Sequence, residues 1–242
     1  MAFEYWRSMA RRTPLLFATA VVVAVVAALA LTGCQPLATA GTATGDTSPT
    51  GAATAAPSAT KALVASAAQA NKQLGALSVA AAGSIQGYNR DDFATWASQG
   101  HGCDTRDIVL ERQGRNVVVG ADCKISSGTW VSPYNGKTYT KPSQLQIDHL
   151  VPLGNAYESG AKSWSTAKKK AFANDLTDHQ LIAVDISDNE RKGDKDPSQW
   201  RPPNKGFWCT YAEDWISVKT VWHLTVTSSE RGALGEMLAT CT

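Results

Sequence analysis

An α+β domain spanning residues 72–242 is what this sequence predicts, and three observations lead to it. Asn116–Lys124 is rich in valine, and Gly128–Val131 can pair with Lys137–Thr140 across Pro133-Tyr134-Asn135-Gly136, where Asn-Gly is a strong hairpin signal. Trp208–Trp222 carries Trp208, Tyr211, Trp215, Val218 and Trp222 at alternating spacings of three and four, the period of a helix with one apolar face. Four cysteines, Cys103, Cys123, Cys209 and Cys241, lie beyond a segment that reads as an export signal. An even number in an exported chain argues for two disulfides.

Taken in order, Arg7, Arg11 and Arg12 precede an apolar run from Leu15 to Leu31, the layout of a secretory signal over residues 1–33. The run ends on Leu31-Thr32-Gly33-Cys34, which resembles a bacterial lipobox and implies cleavage after Gly33 with a lipid on Cys34. The alternatives are an uncleaved anchor near the short limit for spanning a membrane, or ordinary cleavage nearby with Cys34 incidental. All three put the rest of the chain outside the cytoplasm, on the extracellular face of the membrane or secreted. Residues 34–71 are then the lipidated cysteine and a linker of Ala, Thr, Ser, Gly and Pro with too little apolar surface to offset the entropy of ordering. Within it, an Ala-rich stretch from residue 61 can form a helix or a frayed entry to the domain.

The net charge is +2, and Arg7, Arg11 and Arg12 against Glu4 account for all of it. What remains is neutral, so composition gives no global attraction to nucleic acid, and any basic surface must be local.

Inside the domain, Asp91–Ser98 and Thr105–Arg112 read as short helices, the second capped by Asp104 or Thr105. His101 between glycines reads as a solvated loop residue. Arg106 and Arg112 suit either surface solvation or a bidentate phosphate contact, with solvation favoured. Ser165–Asn174 is a helix whose Lys168-Lys169-Lys170 run reads as a solvated face. The Trp208–Trp222 stripe reads as core, and Ser228 or Ser229 caps a last helix reaching Cys241. Among three possible pairings, Cys103–Cys123 and Cys209–Cys241 each close a local loop and would each contribute roughly 3 kcal/mol by restricting the unfolded state. A zinc site is disfavoured, because no Cys-x-x-Cys or Cys/His cluster occurs.

The chemistry concentrates between Gln146 and Pro203. An apolar run ends on Asp148-His149, and a second, Leu181–Val184, turns into Asn189-Glu190-Arg191-Lys192-Gly193-Asp194-Lys195-Asp196-Pro197. A histidine can act as general base. A hard divalent cation accepts a carboxylate and an amide oxygen while keeping sites open. Successive strand residues face opposite ways, so Asp148 and His149 can serve different partners. Singly, each residue has a plain reading: Asp148 a cap, His149 a satisfied histidine, Asn189 a turn residue, Asp196 a cap before Pro197. All of them together at this spacing favour a site.

This arrangement resembles the ββα-metal core of HNH endonucleases, in particular the bacterial secreted members and the nuclease domain of GmrSD-type restriction enzymes. The resemblance covers roughly residues 85–242 and includes Val151–Ala161 and Phe172–Leu176. It implies metal-dependent hydrolysis of DNA, with RNA a further substrate, leaving a 5′ phosphate. It implies that His149 is the general base and that Asp148 and Asn189 hold one divalent ion, Mg²⁺ first. The chain is expected to act as a monomer. The family's middle Asn, which orients the base, falls near Gln180, where this chain reads Asp178-His179-Gln180. Gln180 and His179 are both candidates for that role, with Asn174 a further amide nearby. Arg191, Lys192 and Lys195 follow the metal position and are the expected phosphate contacts. Residues 148–205 hold nine Lys or Arg and nine Asp or Glu, so no net basic groove is expected.

Overall fold

The computed structural model of the chain describes residues 59–242, and among these it is mixed α+β. The export segment, Cys34 and most of the tether lie outside the described residues. Among the described residues no helix is long and apolar enough to cross a membrane.

Helix α1 (Ala59–Ala76) buries Ala67, Ala70 and Leu74, so packing begins ahead of the boundary expected at residue 72. A 3-10 turn, Arg90–Phe93, replaces the helix expected over Asp91–Ser98. Ala94 takes a left-handed conformation at its end (φ 45°), and the chain then runs out as β1 (Ser98–Gly100), paired with β2 (Cys103–Asp104). Helix α2 (Thr105–Gln113) starts in a capping box between Asp104 and Asp107, which satisfies two N–H groups that the first turn would leave unpaired. Strands β3 (Arg115–Val119), β4 (Ile125–Val131) and β5 (Thr138–Tyr139) form an antiparallel sheet with Trp130 opposite Tyr139, the hairpin the Asn-Gly tip announced. Both disulfides, Cys103–Cys123 and Cys209–Cys241, pair as expected.

The centre is a two-stranded antiparallel ribbon, β6 (Leu145–His149) and β7 (Leu181–Asp185), with Leu145 opposite Asp185 and His149 opposite Leu181. Between its strands the chain forms α3 (Leu153–Glu158) and α4 (Thr166–Ala173, capped by Ser165). After β7 comes α5 (Ile186–Lys192), capped by Asp185 and ended by Gly193 at φ 53°, a conformation that glycine adopts at little cost. Helices α6 (Trp208–Val221) and α7 (Ser228–Leu238) pack on α1. The cap of α7 is Thr227, one residue ahead of the expected serines, because Glu230 closes a capping box with it.

The ribbon divides two cores. Leu145, Ile147, Leu181 and Ala183 face Val109, Leu110 and Trp130. Val184 and the residues just beyond His149, Leu150 and Val151, join the larger core with α3, α4, α6 and α7. Tyr211, Trp215 and Val218 are fully buried there, as their spacing required.

Candidate active site

Strand alternation sends Asp148 and His149 to opposite faces of the ribbon. On the His149 face the ring is 4% exposed and stacks on Trp96, with centroids 5.4 Å apart and planes 7° from parallel. Its Nε2 lies 2.9 Å from the Ala173 carbonyl oxygen at the end of α4. A carbonyl only accepts, so Nε2 carries the proton, and in the neutral ring Nδ1 keeps its lone pair. Burial pushes the imidazole down from 6.5 to about 3, against the pull of the Ala173 carbonyl, so the neutral form prevails at physiological pH.

Asn174, next in sequence, fixes the other side of this arrangement. Its Oδ1 accepts from the Ala97 N–H at 2.7 Å and the Thr105 hydroxyl at 2.8 Å, and its Nδ2 donates to Ala94 O at 3.2 Å. The amide thereby ties the Trp96 segment to the end of α4.

On the opposite face Asp148 is buried under α5. Lys192 Nζ donates to Asp148 Oδ1 at 3.0 Å and lies 2.8 Å from Oδ2, and Tyr134 donates its hydroxyl to Oδ2. Lys192 also donates to the His149 carbonyl at 3.0 Å. Burial pushes the Asp148 carboxyl up and the Lys192 ammonium down, and each resists the other's shift by attraction. One turn back, Asn189 Nδ2 donates to Gln146 Oε1 at 2.6 Å, while its Oδ1 meets no donor among the described residues.

The β4–β5 hairpin loop supports this face. Ser132 donates to Asp185 Oδ2 at 3.0 Å, and Asn135 Nδ2 donates to Asp185 Oδ2 at 2.7 Å and Asp188 Oδ2 at 2.9 Å. The β7–α5 junction is thus held by the same loop that supplies Tyr134. Sequence reading missed Tyr134, Ser132 and Trp96; a tyrosine inside a Pro-Tyr-Asn-Gly turn reads as a solvent-facing tip, yet this one is fully buried.

Three expectations change. Neither Gln180 nor His179 reaches the His149 ring. The Gln180 carbonyl accepts from Leu150 N, and its side-chain amide both donates to and accepts from Val151's backbone, extending the ribbon one rung past His149. His179 points away, its Nδ1 2.7 Å from Asp214 of α6, which raises the imidazole pKa. Lys192 is fully buried on Asp148, not surface-exposed for phosphate, because the i+3 spacing from Asn189 turns it toward β6. Arg191 and Lys195 are exposed, Arg191 braced by Ser187 and Asp188, Lys195 donating to the Arg191 carbonyl at 2.7 Å. Arg106 and Arg112 hold backbone carbonyls, of Pro142, Leu145 and Leu176, the structural alternative to phosphate contact. Lys169 leaves the solvated face and pairs with Asp92 at 3.2 Å.

Asp148 and Asn189 supply oxygen donors, the type a hard divalent cation requires. The carboxylate already has an ammonium on it, so an ion would bind there in competition with Lys192.

Comparison with known proteins places the chain in the nuclease class. It belongs to the family described as GmrSD restriction endonucleases, C-terminal domain, whose match spans residues 111–237 and so includes both ribbon strands and α5. An uncharacterized secreted protein of Arthroderma benhamiae (strain ATCC MYA-4681 / CBS 112371) is 48% identical over 178 residues, covering 74% of this chain and 87% of that relative. No solved structure matches the chain.

Proposed function

We propose that this chain is an exported, metal-dependent HNH-type endonuclease that hydrolyses DNA phosphodiester bonds, with RNA the second substrate to test. The observation that carries the reading is the antiparallel ribbon that places Asp148-His149 at its end and Asn189 on the helix that follows. In this reading His149 is the general base. The Ala173 carbonyl holds its Nε2 proton, so Nδ1 is the atom that takes a proton from water. A base with so low a pKa accepts that proton poorly while buried. An arriving phosphate anion would favour the imidazolium and raise it. Trp96 keeps the ring from rotating, and Gln180 fixes the backbone that follows it. Asp148 and the Asn189 amide oxygen would hold the divalent ion, Mg²⁺ first, which would act as a Lewis acid on the phosphate. Arg191 and Lys195 would contact the flanking phosphates, and no element reading base sequence is evident.

The test is plasmid nicking by the purified protein with Mg²⁺, with Mn²⁺ and with EDTA, beside His149→Ala. Cutting that needs metal and disappears in the variant is the expected result. Equal cutting by the variant would discard His149 as base.

The Asp148–Lys192 pair favours one alternative, a protein that keeps the fold and binds nucleic acid without cutting. It predicts DNA binding that is indifferent to metal and no nicking under any condition. For localisation, the secreted relative and the N-terminal signal support export. The Leu31–Cys34 motif supports a lipid anchor, which Cys34→Ala should abolish as measured by detergent partitioning and precursor processing.

A further inference from the structure

A second cluster of acidic groups lies apart from the Asp148–Asn189 pair, around a cavity of about 90 Å³ lined by Asn155 and Glu158 of α3, Asp194, Asp196 and Glu230, with Ser159, Thr225 and Thr227. Three features of it call for a cation. Asp196 is only 8% exposed, yet it makes no ion pair among the described residues; its Oδ1 accepts from the Ser198 N–H and hydroxyl. Glu158, partly exposed, and Asp194, exposed, also make no ion pair among the described residues, whereas Glu230 is neutralised by Lys219 at 2.7 Å. Asn155 is nine-tenths buried, and its Oδ1 finds no hydrogen-bond partner among the described residues.

Buried charges are normally paired or bound to metal, and a buried amide oxygen normally has a donor. Here one buried carboxylate without an ion pair, Asp196, shares the cavity with the partly exposed Glu158, the exposed Asp194 and an orphan amide oxygen, while Lys219 is committed to Glu230. The Glu158 carboxyl is raised by burial and then by Asp194, the direction in which added positive charge would be accommodated. Asp194 is held in place by a close approach: it accepts from the Gly154 N–H at 3.3 Å, and a Cβ on Gly154 would lie 2.6 Å from its Cγ.

We propose that this cavity binds a divalent cation, Ca²⁺ in preference to Mg²⁺, that ties the Asp194–Asp196 loop to α3. The donors are carboxylate, amide and hydroxyl oxygens in an irregular array, which suits the flexible coordination of Ca²⁺. Among the described residues no three of these carboxylates bring oxygens within 4.8 Å of one another, so at most two bind directly and water completes the sphere. The cavity has room for those waters. Because the loop continues from α5, the ion would fix the segment that follows Lys192 without touching the reacting groups.

The test is calcium binding to the full-length, EDTA-stripped protein, followed by calorimetry and by melting temperature with CaCl₂ and with MgCl₂. One Ca²⁺ per chain with a rise in melting temperature is expected in the parent and in Asn189→Ala. Glu158→Gln, at the rim, should weaken Ca²⁺ binding at least tenfold, as should Gly154→Ala by displacing Asp194; Asp196→Asn should abolish it where that variant folds. No Ca²⁺ binding by the parent would overturn the proposal. So would binding that is lost in Asn189→Ala and kept in Glu158→Gln, which would assign the ion to the Asp148–Asn189 site. Plasmid nicking in Mg²⁺ is read separately, so failure of the nuclease reading leaves this result standing.

Discussion

The chain buries two lysine–carboxylate pairs, and they differ in what surrounds them. Lys219 of α6 meets Glu230 of α7 at 2.7 Å, and both are almost wholly buried. Glu230 also accepts from the Trp215 indole N–H at 2.7 Å, and Lys219 donates to the Thr225 carbonyl at 2.9 Å. Lys192 of α5 meets Asp148 of β6 with the same burial and a similar distance, and an aromatic donor, Tyr134, again completes the carboxylate. Each pair joins a helix to a neighbouring element. The first lies between packed helices at the wall of the acidic cavity and away from His149, with Cys209–Cys241 pinning the same two helices. The second sits one residue from His149 and one turn from Asn189. A buried ion pair is therefore no sign of chemistry by itself; its neighbours decide.

Substitutions at and around the two pairs distinguish them. The largest effect is expected from His149→Ala, a loss of about 10²–10⁴-fold in nicking rate with the fold retained, since general base catalysis supplies that range; circular dichroism and the nicking assay measure the two together. Next, removing either lysine leaves an uncompensated buried carboxylate, at a cost of about 3–5 kcal/mol. Urea denaturation of Lys219→Met and Lys192→Met should show similar losses, but only Lys192→Met should change the Mg²⁺ concentration that supports nicking. A Lys219→Met protein with altered metal dependence would erase the distinction between the pairs.

A smaller effect is expected from Arg191→Ala and Lys195→Ala. Each phosphate contact removed should lower the slope of log binding constant against log salt by about 1, with the Mg²⁺ requirement unchanged. The smallest is the pH dependence set by His179, exposed beside Asp214. Its folded pKa is raised, chiefly by that hydrogen bond. Its contribution is therefore complete below the unfolded value of 6.5 and fades as pH rises through the higher folded value. Melting temperature against pH should show that decline in the parent and lose it in His179→Gln.

Much of this was legible in the sequence because the signals are local. Asn135-Gly136 places a hairpin, the Trp208–Trp222 spacing places a buried helix face, and cysteines that close short loops pair as neighbours. The positions of Asp148, His149 and Asn189 on strand, strand and helix follow from run lengths and strand alternation. What escaped depends on contacts distant in sequence. Trp96 meets His149 only because Asn174 ties its segment to α4, and Tyr134 meets Asp148 only because the hairpin loop folds back on the ribbon. Lys192 reads as a phosphate contact because it follows the metal position; its place on the inner side of a seven-residue helix decides otherwise. Gln180 is, with His179, a candidate to orient the histidine by position in a motif, whereas its amide matches a backbone rung of the ribbon.

A two-stranded ribbon has two edges, and β7 would present unpaired peptide groups to any passing chain. Gln113, at the end of α2, covers part of that edge: its Nε2 donates to the Leu181 carbonyl at 2.9 Å and its Oε1 accepts from the Ala183 N–H at 2.8 Å. A single side chain thus plays the part of a third strand. The consequence is resistance to strand-to-strand association along that edge. Gln113→Ala is the change that would expose the ribbon to its own kind.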